Sequence, residues 1–180
     1  MINFLKTLVA IAALAAAAQL SITLSEAISV APITAQSLVL FLIARLLPWK
    51  YSVLSVLLYL LLGIIGLPVF SGFSSGWEVV VGKSTGYFVG FIFAAFVIGL
   101  MAEKNSAQFK NYLLEFLIGS VLILFFGAIF LLRFIPLEEA LSKGVKPFIP
   151  GAFIKLLLAA VILAVYGKVK QFLTTIPQHD

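Results

Sequence analysis

The sequence predicts an all-α integral membrane protein: six transmembrane helices, both termini cytoplasmic, and long extracytoplasmic loops. Three observations lead there. Of the 180 residues, 63% are hydrophobic and only 11% charged, against roughly 45–50% and about 25% in a soluble domain. The mean hydropathy of +1.20 is more apolar surface than a water-soluble fold of this size can hide. The apolar residues also run in long unbroken segments, without the two-residue alternation of an outer-membrane barrel.

Composition also excludes several functions. The net charge is +5, but the twelve cations stand singly at segment ends and form no basic stripe for nucleic acid. With no cysteine, disulfides, thiolate chemistry and thiolate metal sites are out of reach.

Six apolar segments span residues 4–24, 33–47, 51–67, 85–102, 112–132 and 151–166. Each is expected to be helical, because backbone groups in lipid must pair within their own segment. The first carries Lys6 and the small run Ala15–Ala18, as a signal peptide would. Its apolar run continues to Leu24, however, and cleavage would leave an odd number of spans. Ala12/Ala16 and Ala13/Ala17 recur at four-residue spacing. Such small faces let a second helix approach closely, either one of this chain or one of a separate membrane subunit. The second segment, between Pro32 and Pro48, is shorter than the roughly 20 residues of a full span, as is the sixth. Longer neighbours cover these helices, or loop residues complete the crossing.

The sixth segment follows Pro147-Phe148-Ile149-Pro150-Gly151, read as a loop, and places Lys155 one turn inside an apolar helix. An ammonium there is costly unless something anionic meets it. Lys155 is therefore a candidate ligand-binding residue, against the simpler reading of a lysine snorkelling to the interface.

The cations orient the chain through the positive-inside rule. One side collects Lys6, Arg45, Lys50, Lys104, Lys110, Lys168 and Lys170; the other collects Lys83, Arg133, Lys143, Lys146 and Lys155, with Glu26, Glu78, Glu138 and Glu139. The first set is the cytoplasmic one, and Arg45 and Lys50 read as interface anchors. Connections on that side are short, whereas residues 25–32, 68–84 and 134–150 form longer outer loops rich in turn residues. Long loops carry function more often than short ones, so the outer face is where a site is expected. No internal repeat or linker interrupts the chain, which reads as a single domain over residues 1–180.

Catalytic motifs are thin. Gly82-Lys83-Ser84 resembles the tail of a P-loop, but the position that needs the first glycine holds Trp77. His179 lies in a polar tail, and Glu138-Glu139 reads as a wetted loop rather than an acid–base or metal pair. No Ser-His-Asp, HExxH or GxSxG arrangement exists, and no metal ligand set is visible. The loop from Gly66 to Trp77 alternates aromatics with Gly, Ser and Pro. Such a loop can fold over a ligand and cover its apolar parts, or form an interfacial aromatic belt.

The string Leu61-Leu62-Gly63-Ile64-Ile65-Gly66-Leu67-Pro68-Val69-Phe70, then Gly82-Lys83-Ser84-Thr85-Gly86-Tyr87 and Gly90-Phe91, resembles the BioY family. Those are the biotin-specific substrate-capture subunits of energy-coupling-factor transporters. Pro32-Ile33-Thr34-Ala35-Gln36-Ser37 and Phe148-Ile149-Pro150-Gly151 with Lys155 are similar to two further motifs of that family. The resemblance implies a non-enzymatic, multi-pass subunit of the bacterial cytoplasmic membrane that captures biotin from outside under the loop after the third helix. It implies partners too: a transmembrane coupling subunit meeting the alanine face of the first helix (Ala12, Ala13, Ala16, Ala17), and two ATPase subunits. No cofactor is expected in this chain, and any ATP is bound by a partner. Two departures stand out: Ala152 replaces the family's aspartate, and Lys83, Ser84 and Thr85 intervene before the fourth helix.

With that resemblance, the expected site uses Lys155 and Lys83 as cations for the carboxylate. Phe70, Phe73, Trp77, Tyr87 and Phe153 are expected as walls, and Thr34, Gln36, Ser84 and Thr85 as hydrogen-bonding groups. Gln36, Thr34, Glu78 and Ser74 are the candidates to replace the missing carboxylate. A capture subunit for another vitamin-like compound, and a non-catalytic membrane scaffold, remain as alternatives.

Overall fold

The computed structural model describes residues 2–25 and 27–175, so Glu26 and His179 lie outside the described residues. Within them the chain is almost wholly helical: α1 (Ile2–Gln19), α2 (Gln36–Leu46), α3 (Trp49–Ile64), α4 (Trp77–Val81), α5 (Thr85–Lys104), α6 (Phe109–Leu131), α7 (Leu137–Gly144) and α8 (Phe148–Thr175). A two-residue antiparallel ribbon, β1 (Ser21–Ile22) with β2 (Ile33–Thr34), joins the end of α1 to the start of α2. By length and composition α1, α5, α6 and α8 can each cross a membrane. The apolar helices α2 and α3 are shorter, at 11 and 16 residues.

Every predicted apolar segment overlaps one of these helices, but several bounds differ for identifiable reasons. The first helix stops at Gln19, because Ser21 and Ile22 turn their backbone to pair with Ile33 and Thr34. The same pairing delays α2 until Gln36. The last helix starts at Phe148 rather than Gly151 and takes Pro150 into its first turn. Proline is tolerated there because the first N–H groups of a helix have no intrahelical partner anyway. Lys155 consequently sits two turns inside α8, not one. The stretch around Glu138-Glu139 is a short helix rather than a wetted loop: both carboxylates occupy the first turn of α7, where the helix dipole favours them. Glu139 pairs with Lys143 one turn on, at 3.0 Å.

The bundle is held by close backbone contact between α5 and α6. A Cβ at Gly90 would lie 2.6 Å from Ile123 Cα, and one at Gly86 would lie 2.9 Å from Gly127 Cα. Glycine at this four-residue spacing therefore sets the interhelical distance, the small-xxx-small logic of membrane packing. Stacked Phe93 and Phe126, 4.6 Å between centroids, extend the same seam.

The ends of α2, α3, α5 and α6 opposite the ribbon are joined by polar contacts. Arg45 is not an interface anchor: its Nε lies 3.1 Å from a carboxylate oxygen of Glu115, which is fully buried. Its two terminal nitrogens donate to the carbonyls of Ala102 (2.9 Å) and Asn105 (3.2 Å), and Asn105 Nδ2 donates to the other Glu115 oxygen at 3.0 Å. The Tyr112 ring covers the guanidinium at 5.1 Å. A buried ion pair persists only when its remaining lone pairs and protons are satisfied. The carbonyls at the end of α5 supply much of that here.

A candidate small-molecule cavity

At the ribbon end of the bundle lies a cavity of about 200 Å3, room for one small molecule. Five parts of the chain converge on it. The start of α2 contributes Thr34, Gln36, Ser37 and Phe41; the connection between α3 and α5 contributes Phe70, Ser71, Ser74, Val79 and Ser84. From α5 and α6 come Tyr87, Phe88, Phe91, Ser120 and Ile123; from α8 come Phe148, Ala152 and Lys155.

The last set shows why the helix start matters. Positions 148, 152 and 155 lie four and three residues apart, hence on one face of α8. Phe153 falls off that face and is 60% exposed. Among the described residues, Lys155 is the one charged residue lining the cavity. Its Nζ donates to the carbonyl of Thr34 at 3.0 Å, and no carboxylate approaches it among the described residues. An ammonium has three N–H donors, so two are left for whatever enters. A cation unmatched by an anion in an apolar enclosure is costly, a cost that an entering anionic group would relieve.

From Thr34, the residue that Lys155 contacts, the polar groups form a chain. Thr34 Oγ1 donates to Gln36 Oε1 at 3.0 Å, Gln36 Nε2 donates to the Tyr59 hydroxyl at 2.7 Å, and that hydroxyl donates to Val69 O at 3.1 Å. Gln36 is thereby fixed in orientation although it is only 5% exposed. The hydroxyls of Ser37, Ser71 and Ser84 line the cavity without a protein hydrogen bond among the described residues. They are available to a ligand as donors or acceptors.

The aromatic wall is built by packing. The Phe70 ring lies on Gly63, where any Cβ would overlap it. It also meets Tyr59 edge-on at 5.6 Å and Phe88 at 5.2 Å. Tyr87 stacks toward Phe148 at 5.3 Å and donates from its hydroxyl to Gly144 O at 2.6 Å, so α7 braces this wall from behind.

Of the residues predicted for the site, the structure brings Lys155, Thr34, Gln36, Phe70, Ser84 and Tyr87 together around the cavity. Five others do not line it. Phe73 and Trp77 are 69% and 61% exposed: left-handed backbone at Gly72 and Phe73 turns the first outward, and Trp77 begins α4 on its outer side. The Thr85 hydroxyl is committed to Val80 O (2.7 Å) and Gly82 O (2.6 Å). Lys83 and Phe153 are likewise absent from the lining. Among the candidates to replace the family carboxylate, Gln36, Thr34 and Ser74 reach the cavity, whereas Glu78 is exposed.

Sequence reasoning missed the α6 contribution. Ser120, a polar residue in the middle of a long apolar run, was the available signal. It likewise passed over Glu115, although an ionisable residue within an apolar helix always calls for a partner. Of the alanines, Ala12 and Ala16 are exposed, Ala13 is half-buried and Ala17 is buried at 4%. The two pairs thus lie on different sides of α1, one outward and one toward the bundle. Among the described residues no group of three or more His, Asp or Glu side chains comes together to hold a metal.

Fold and cavity together define a multi-pass, almost wholly helical membrane protein enclosing a small cavity whose one charged lining group among the described residues is a cation. Comparison with known proteins narrows that class. The profile of the BioY family matches residues 1–172, and the chain belongs to that family. It is 44% identical over 133 residues to the biotin transporter BioY of Thermotoga maritima, covering 73% of this chain and 78% of that one. The probable biotin transporter BioY of Rickettsia prowazekii is 28% identical over 170 residues, 94% of this chain and 86% of its own. The crystal structure of the S-component for biotin from an ECF-type ABC transporter superposes with a TM-score of 0.82 at 30% identity. It covers 92% of this chain and 90% of that one.

Proposed function

We propose that the protein is a non-enzymatic membrane subunit that captures biotin in the cavity beside Lys155 and delivers it inward for uptake. The observation that carries the reading is the Lys155 ammonium, the one charged group of a largely apolar lining among the described residues. Biotin is an anion at neutral pH, with a ring system for the aromatic wall and a urea edge for hydroxyl and amide groups. Lys155 holds the carboxylate, and hydrogen-bonding groups elsewhere on the lining, Gln36 and the unbonded serines, serve the urea edge. Ala152 lines the cavity without offering an acceptor, so these groups replace the carboxylate that the family motif carries there. The similar S-component for biotin and the related biotin transporters support the same ligand.

In this reading the chain is one domain of six crossings in the bacterial cytoplasmic membrane. At 1.5 Å per residue, α2 and α3 reach only about 16 and 24 Å of a hydrocarbon core about 30 Å thick. The ribbon and the connections at their ends complete these two crossings. The ends gathered around Arg45 and Glu115 face the cytoplasm with both termini, following the positive-inside distribution, and the cavity opens toward the outside. Residues 68–84 act as a lid. A transmembrane coupling subunit docks on the exposed Ala12/Ala16 face of α1, and two ATPases supply the energy. The chain itself binds no cofactor.

Equilibrium binding to purified protein, with biotin, desthiobiotin, thiamine and riboflavin in parallel, tests the ligand. Saturable binding of biotin in preference to the other three is expected. Preference for thiamine or riboflavin would move the reading to another vitamin-like compound, and no binding at all would favour a scaffold.

A further inference from the structure

The loop that supplies one wall of the cavity is fastened at its tip by a single side chain from another helix. Gln19, the last residue of α1, reaches across 51 and 54 positions of sequence to Phe70 and Phe73. Its Nε2 donates to Phe70 O at 3.0 Å and, less closely, to Ala15 O at 3.3 Å; its Oε1 accepts from Phe73 N–H at 3.0 Å. Both halves of the amide are thus used, in the manner of a peptide group pairing with an edge strand.

What it holds is a strained turn. Gly72 has φ +67° and Phe73 φ +57°. Glycine accepts that conformation freely, but a phenylalanine there is an outlier that persists only when its surroundings fix it. Burial of the Phe73 ring does not fix it, since the ring is 69% exposed. Within the turn, Phe70 N–H donates to Ser74 O at 3.1 Å and Ser74 Oγ to Ser71 O at 2.8 Å. The contact from outside at Phe73 is the Gln19 carbonyl. The tip carries three residues of the cavity wall, namely Phe70, Ser71 and Ser74.

We infer that Gln19 is a positioning residue, a latch that keeps this lid closed and so sets how long the ligand stays bound. The inference rests on the biotin-capture reading for its ligand. Because the latch belongs to α1, a shift of that helix acts directly on the lid. Loss of the amide leaves Lys155 and the rest of the cavity in place, so it accelerates escape without hindering entry.

The test uses purified full-length protein and labelled biotin chased by unlabelled biotin. Gln19→Met, close in shape but without either hydrogen bond, should raise the dissociation rate constant at least tenfold and change the association rate constant less than threefold. A merely structural role would lower the fraction of active protein and leave both rate constants alone. Hydrogen exchange on ligand-free protein gives a second readout. Exchange at 70–76 should accelerate in the variant while α5 and α6 stay protected. Should Gln19→Met not fold, Gln19→Glu carries the same test, because it keeps an acceptor for Phe73 and loses the donor to Phe70; at least a threefold faster dissociation is expected. Unchanged dissociation and unchanged exchange at 70–76 would overturn the latch. If the unaltered protein binds no biotin, the ligand assignment fails instead, and the exchange experiment still decides the latch.

Discussion

Replacing Lys155 by methionine separates ligand recognition from folding, because the two effects have opposite signs. In the empty protein the ammonium has one neutral acceptor, Thr34 O at 3.0 Å, and no anion among the described residues. Removing it relieves an uncompensated charge, so Lys155→Met is expected to be as stable as the original or more so. In the complex the same ammonium meets a carboxylate. Hydrogen bonds to charged groups are worth about 1.5–3 kcal/mol, which at about 1.4 kcal/mol per tenfold predicts biotin binding weakened by about 10- to 150-fold. The assay is calorimetric titration in detergent with biotin and with its neutral amide, alongside thermal unfolding of the ligand-free protein. The amide should bind both proteins within about threefold of one another. If biotin affinity is unchanged, or if both ligands lose affinity equally, Lys155 does not hold the carboxylate and the charge argument fails.

Three further outcomes are expected. Arg45→Met strands Glu115, which is fully buried, and should destabilise the fold by about 3–5 kcal/mol; combining it with Glu115→Leu should recover a large part, and strict additivity in a double-mutant cycle would refute the pairing. Biotin affinity should stay within about threefold in every variant of this pair that folds, because the cluster lies at the opposite end of α2 from Gln36. Gly90→Ala forces a methyl group against Ile123 Cα, backbone that cannot turn aside, and should cost about 1–3 kcal/mol in unfolding experiments. Biotin affinity should fall as well, since Ile123 lines the cavity.

The sequence made some of this legible and hid the rest for physical reasons. Long apolar runs disclose helices reliably, because in lipid the backbone has few alternatives. The helix ends were harder: a two-residue ribbon such as Ser21–Ile22 with Ile33–Thr34 leaves no periodic signal, and Pro150 reads as a break although the first turn of a helix accommodates it. Lys155 stood out because charge is rare in such a chain, and Thr34 and Gln36 because the motif from Pro32 to Ser37 resembles one of the family's. The direction in which an aromatic points was not legible. Phe70 and Phe73 belong to one loop, yet one is a wall of the cavity and the other is exposed at the tip, a difference set by two left-handed residues. Nor does order along the chain reveal that Glu115 and Arg45, seventy positions apart, neutralise one another.

The account depends on where an anionic vitamin puts its charge, and a structure of the protein with biotin bound measures that directly. A carboxylate oxygen of the ligand is predicted within about 3 Å of Lys155 Nζ, a usual charge-assisted distance, with the ring system between Phe70 and Tyr87. Biotin lying with its carboxylate away from Lys155, or seated outside the cavity altogether, would contradict it.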